Sequence, residues 1–422
     1  MTFRFYRVAG VALCASIALT VLALNGLPAQ AGTALYTVRD LGTLAGSSAA
    51  GNSINDVRWV SGSSFLSGNA VQHATLWFHG YQFDLGTPGG LNSAISWPVK
   101  NDHGLLVGNG EISTVDPLGE NFCRYGTGLE CRAFVWQHGV MSTLAPIGGD
   151  NSYAAGANNR GLVVGWAEDS TQDSTCTHPQ VLQYEGVMWS PSFVPQVLQP
   201  LSGDTDGAAV AINSEEQVVG ISGPCADADG GGARHAVMWQ NGVATDLGNF
   251  GGTILNTADA INDLGQIVGF SELTGNATFH AFLWTPSQGI QDLGTLPGDT
   301  LSEALGINDS GQIVGGSCDA NFNCRAFIWQ NGVMTDMNSL ISNRSSIYLN
   351  FAGDINEQGD IGGLAFDQRT GVAPAFMALP KRGGSDVRAA LPSRRLSLPQ
   401  RVRDALREFA LHRIGPQPSV VR

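Results

Sequence analysis

Lysine is almost missing from this 422-residue chain, which has Lys100 and Lys381 and no others. All charged residues together make up 14%, against roughly a quarter in ordinary domains. Long solvent-facing helices laced with Lys–Glu pairs therefore have no material here. With 18 prolines this is no Pro-rich disordered segment, and no G-X-Y period supports collagen. Past residue 24 no stretch approaches the roughly 18 apolar residues of a membrane helix. The chain has no C-x-x-C, no P-loop and no G-x-S-x-G, which removes the usual signatures of thiol redox sites, nucleotide phosphates and serine hydrolases. Glycine is abundant instead, 55 of 422 residues, with nine tryptophans and 43% apolar content. That combination suits short strands joined by tight turns around a sizeable core.

The two ends differ from the middle. Arg4 and Arg7, an apolar run over 8–24 and Ala29-Gln30-Ala31 predict a signal peptide over 1–31, cleaved on export to the periplasm or the exterior. Residues 381–422 carry ten basic against three acidic side chains, a balance of +7. The body, 32–380, has ten basic against 33 acidic residues, so the formal −14 conceals −23 on the body. Such an acidic body disfavours nucleic acid as a partner. Within the tail, 399–414 predicts a short amphipathic helix with Val402, Ala405, Leu406, Phe409 and Ala410 on one stripe. It could dock on the acidic body or associate with an anionic envelope surface.

Between the ends lies a repeat. I-N-D-x-G-Q-I-V-G stands at 261–269 and 307–315, and its Asn recurs at 55, 101, 158, 213, 262, 308 and 356. Seven residues after each Asn comes a Gly, at 62, 108, 165, 220, 269, 315 and 363. A Gly three residues after the Asn occurs in every unit except two, which have Arg58 and Glu216. The units continue into Trp-ended segments such as H-A-F-L-W at 280–284 and R-A-F-I-W at 325–329, then a short D-L-G. N-D-x-G closes one hairpin and Asn-Gly or His-Gly another. Four short strands repeating every 45–50 residues or so are a propeller blade. The seventh unit supplies three strands before the tail, and Y-T-V-R-D-L-G at 36–42 supplies the fourth from the other end. The fold expected is all-β, a seven-bladed β-propeller over 32–380 closed by that N-terminal strand.

The D-L-G…I-N-D-x-G-Q-I-V-G…H-A-F-L-W…D-L-G succession at 246–294 resembles the bacterial extracellular HAF repeat, named for that tripeptide. The resemblance covers residues 36–380 and is closest in the fifth and sixth units. It implies a secreted repeat protein and carries over no catalytic residue.

Six cysteines remain after signal removal, an even number in an exported chain, so disulfides are expected. Cys123 and Cys131 share one inter-strand loop, and Cys318 and Cys324 share the equivalent loop four units later. Those are the natural staples. Cys176 and Cys225, in equivalent loops of neighbouring units, are left to each other as an inter-blade bond.

The loops joining second and third strands emerge on the same face as the blade-to-blade connections. That face collects Asp150, Asp204, Asp206, Asp227, Asp229, Asp299 and Asp319, the expected binding surface. Asp204-Thr205-Asp206-Gly207 and Asp227-Ala228-Asp229-Gly230 resemble the start of calcium loops, without the later ligands. Calcium is the one cofactor they suggest. In the first strands, Asp259 and Glu303 stand in adjacent units and are candidates for a glycoside-cleaving carboxylate pair. The repeated His or Arg before Ala reads as a polar tie, one per blade and too dispersed for one metal ion. The expected function is a binding module for an extracellular glycan or protein. A carbohydrate-active enzyme and a structural envelope or matrix component are the alternatives.

Overall fold

The computed structural model describes residues 35–225, 234–342, 345–381 and 395–411. The signal-peptide expectation falls outside them. Seven four-stranded antiparallel sheets form, six of them simple meanders in chain order. In the seventh, Tyr36–Gly42 pairs with Ala375–Pro380, beyond Ile361–Asp367 and Ile347–Ile355. Val38 lies opposite Ala378 in that pairing. The ring is therefore closed by the N-terminal strand, as the repeat arithmetic predicts.

Two glycine requirements set the blade. Those seven residues after the repeat Asn lie under a bulge in the first strand, as at Ala258/Ala260 and Ala304/Gly306. A Cβ on Gly315 would stand 1.8 Å from the Glu303 carbonyl oxygen, and one on Gly165 1.9 Å from that of Tyr153. No side chain fits such an approach. The turn glycines serve differently: Gly265 and Gly311 both have φ near +71°. Arg58 and Glu216, the two exceptions, adopt the same left-handed conformation at +64° and +60°.

The repeat Asn does more than turn the chain. Its Oδ1 accepts the amide four residues on, as Asn262 does from Gln266 at 2.9 Å. Its Nδ2 donates to the backbone oxygen of the corresponding Asn in the next blade. The links run 55→101, 101→158, 158→213, 213→262, 262→308, 308→356 and 356→55, at 2.8–3.0 Å. A closed circle of buried amides thus lies around the turn face.

The third-strand ties are found within blades. His73 meets Asp84 at 2.8 Å, His235 meets Asp246 at 3.1 Å and His280 meets Asp292 at 3.0 Å, each Asp belonging to the D-L-G segment. These His–Asp pairs sit at the half-exposed rim, whereas Arg325, at the same position in blade six, is buried and holds Asp299 and Asp336. Trp189 and Trp239 are buried between blades and donate to Ala145 O and Gln199 O of the preceding blade. All three expected disulfides are present: Cys123–Cys131, Cys318–Cys324 and the inter-blade Cys176–Cys225.

Candidate functional site

The described part of the tail lies on the loop face. Gln400–Leu411 is a helix within the stretch expected, and residues past 411 lie outside the described ones. Leu398, Val402 and Leu406 are buried against Phe351, Leu364 and Phe366 of blade seven. Phe409 packs at 5.1 Å on Phe351, and Arg407 covers the Phe322 ring at 4.7 Å. Ahead of the helix, Arg395 reaches Asp299 and, at 3.5 Å, Asp319.

Those contacts change the standing of the acidic face. Asp299 is buried, and Arg325 Nη2 holds it at 2.7 Å while Ser317 donates at 2.9 Å. Asp319 caps its own loop by accepting from the Asn321 and Asn323 amides. Asp206 is buried at the start of its strand and accepts from Tyr184 N at 2.9 Å. Burial pushes its carboxyl up to about 7, against the hydrogen bonds from Thr205 and the Tyr184 amide. Asp204 accepts from Ser222 at 2.7 Å and stays half-buried, as does Asp150. Asp227 and Asp229 lie outside the described residues. Among the described residues, no three His, Cys, Asp or Glu side chains are grouped to hold a metal.

Asp259 and Glu303 are both buried, on first strands of adjacent blades. They stand at different levels. Asp259 occupies the bulge, the place Leu305 takes in the next blade, while Glu303 aligns with Thr257. A third channel acid, Asp354, is paired with Lys100 Nζ at 2.6 Å and accepts Ile54 N at 3.0 Å. Burial raises the Asp354 carboxyl against the pull of Lys100.

A wider opening lies elsewhere. A cavity of about 550 Å³ lies at the loop-face mouth, between blades one, two, three and seven, with Ala405 and Phe409 of the tail helix on one wall. That is within the range of small-ligand sites, about 300–1,000 Å³. The residue just after the repeat glycine faces it from all four blades, as Ser63, Asn109, Trp166 and Leu364. Tyr153 and Trp166 stack in parallel, with centroids 4.1 Å apart and planes at 8°. The remaining wall comes from the loop containing Phe122, Cys123, Arg124 and Tyr125. The Cys123–Cys131 bond holds that loop, and Arg124 has φ +64° within it. Among the described residues, Arg124 is the one charged residue on the lining.

A buried acid pair props the same loop. Glu120 Oε1 accepts the Val181 and Leu182 amides of blade three at 2.6 and 2.8 Å. Its carboxyl lies close to that of Glu168, which accepts from Asn151 and Gln180. Burial and the neighbouring Glu120 charge push Glu168 up to about 9, so the pair shares one proton at neutral pH.

The sequence singles out the 109–130 loop by its length. It does not show the convergence of Asn109, Tyr153 and Trp166. For Asn109 and Trp166 the signal is the position after the repeat glycine, which changes in size from blade to blade while its neighbours stay small; Tyr153 stands opposite Trp166 on the first strand.

No family model matches the chain, and no curated protein does. Among solved structures, a streptogramin B lyase is 10% identical, aligning 83% of this chain with 100% of its own at a TM-score of 0.47. A puromycin hydrolase is 11% identical over 79% of this chain and 54% of its own, at 0.44. TolB from Acinetobacter baumannii is 11% identical over 60% of this chain and 49% of its own, at 0.30. The chain spans about half the length of these last two. None of the three says what chemistry this chain performs.

Proposed function

We propose that this is the binding module of an exported protein, with residues 1–31 removed on export and a small extracellular ligand held in the loop-face cavity. The three disulfides suit an oxidising compartment, and the HAF-like repeats suit a secreted protein. The observation that carries the reading is the cavity itself. Four blades turn the position after the repeat glycine toward it, and aromatic and amide side chains of the described residues meet there. The aspartates of the same face are largely spent on arginine, loop caps and strand ends. Ligand recognition therefore falls to the cavity rather than to the acidic surface.

The test is a thermal-shift screen of the mature chain against neutral glycosides, short peptides and calcium. A ligand at a hundred times its dissociation constant adds about 2.7 kcal/mol, which shifts the midpoint by several degrees. The same compound leaves a Ser63→Trp variant, whose new ring fills the cavity, unshifted. If every compound is silent, or if the filled variant responds equally, the reading fails.

A further inference from the structure

The tail helix lies between two cavities. Besides the one at the loop-face mouth, a smaller cavity of about 120 Å³ lies beneath it, lined by Val402 and Leu406. Ser48, Leu364 and Ala405 line both. The middle of the helix is thus the partition between them, and it is seated over unfilled space. Close packing leaves few voids of that size. The smaller cavity also has an unmet polar group on its wall. Asn350 is fully buried there, and its Nδ2 donates to Cys324 O at 3.2 Å. Among the described residues its Oδ1 accepts from nothing. Burying such an acceptor opposes docking, and water answers it once the helix lifts.

The hold on the ring is uneven along the tail. Ahead of the helix it is directional. Arg395 pairs with Asp299 and Asp319, Leu396 N donates to Tyr348 Oη at 3.2 Å, and Leu398 N donates to Asn323 Oδ1 at 2.9 Å. Pro399 O then accepts the Val402 and Arg403 amides and starts the helix. In the first turn, Arg401 Nη2 reaches Gly371 O at 2.8 Å. Further on, Val402 and Leu406 rest beside the void, and Arg407 and Phe409 lie on the Phe322 and Phe351 rings. One end is fixed by oriented bonds, and the other sits on apolar surface with a gap in it. Local opening starts where buried contact is least, and the end of an element is the usual place for a hinge.

We propose that the tail helix is a hinged lid on the loop-face cavity. Residues 395–398 are its anchor and Pro399 its pivot, and the helix swings off blade seven, joins the two cavities and widens the mouth. The closed form is the dominant one. This rests on the reading of that cavity as the ligand site and supplies its gate.

The experiment is thiol labelling of the full mature chain, whose six cysteines are all in disulfides. Leu364→Cys places a thiol under the helix, where Leu364 is 7% exposed. Ala209→Cys, fully buried in blade four, reports opening of the whole ring. With N-ethylmaleimide, Leu364→Cys is expected to react at least about tenfold faster than Ala209→Cys, at a rate that low urea barely changes. Adding Leu406→Asp, which puts a charge into the apolar seat, should speed Leu364→Cys about tenfold more and leave Ala209→Cys slow. A Ser63→Cys thiol, elsewhere on the cavity wall, reads the gate: Leu406→Asp should speed its reaction with the bulky fluorescein maleimide. If Leu364→Cys reacts no faster than Ala209→Cys and with the same urea dependence, the helix opens only with the ring and the lid is overturned. If Leu406→Asp speeds Leu364→Cys and leaves Ser63→Cys unchanged, the helix moves without gating the cavity, and the proposal is overturned too. Fast labelling of Ala209→Cys beside Leu406→Asp would mean a misfolded ring, and the urea dependence of Leu364→Cys alone then decides. No ligand enters these measurements, so a silent ligand screen overturns the binding module without touching the movement of the helix.

Discussion

The side-chain amide of Asn356 donates to the backbone oxygen of Asn55 at 3.0 Å, joining residues 301 positions apart. It is the seventh link of a circle whose other six join neighbouring units. Asn356 Oδ1 also accepts the Gln358 and Asp360 amides. Asn356→Ala therefore breaks ring closure and strands several buried backbone groups. The expected loss is about 1–3 kcal/mol, read by urea unfolding. Asn356→Asp should not rescue it, because a carboxylate offers no donor to Asn55 O.

The repeat glycines separate into two classes by substitution. Gly315→Ala sets a methyl 1.8 Å from the Glu303 carbonyl, and overpacking of that kind costs about 1–3 kcal/mol or more. Glu216→Gly goes the other way. It relieves a left-handed φ of +60°, worth about 1 kcal/mol, and gives up an exposed pair with Arg160 that contributes little. Equilibrium unfolding of the two variants should show opposite signs.

Those features show how far the sequence carried. Spacing alone disclosed the blades, the closing strand and the disulfide partners, because each is a local pattern repeated at fixed intervals. The Asn circle is a relation between units, and periodicity cannot distinguish a residue retained for its turn from one retained for its neighbour. The contacts of the aspartate face were hidden for a related reason. Composition places Asp299 and Asp319 among the loops, but only the folded tail shows that Arg395 lies between them. Asp259 and Glu303 illustrate the limit of strand alternation, since the bulge shifts one relative to the other.

Glu168 makes stability fall as pH rises. Its folded value, about 9, is above the ordinary 4.5, so the folded chain binds the proton more tightly than the unfolded one. Its contribution is complete below about pH 4.5 and is lost progressively up to about pH 9, by at most about 1.4 kcal/mol per pH unit. Glu168→Gln keeps a neutral side chain there at every pH. The gap between the melting midpoints of the variant and the parent should therefore widen in the variant's favour from pH 5 to pH 9. A constant gap would contradict the shared proton.

The tail helix is held by apolar burial more than by charge. Leu406 is 1% exposed against blade seven, so Leu406→Asp should release the helix and lose about 2–5 kcal/mol. Limited proteolysis would read the release as rapid cleavage within residues 395–411, with the disulfide-bonded ring left intact. A tail as resistant as the parent's would contradict the docking.

The central claim, that the loop-face cavity is where this ring holds its ligand, is tested most directly by calorimetric titration. The compound with the largest shift in the thermal screen would be titrated into the mature parent and into Ser63→Trp. The account predicts a saturable one-to-one isotherm for the parent and no heat beyond dilution for the filled variant, with both proteins melting alike. Equal affinity in the two would place the ligand elsewhere and contradict it.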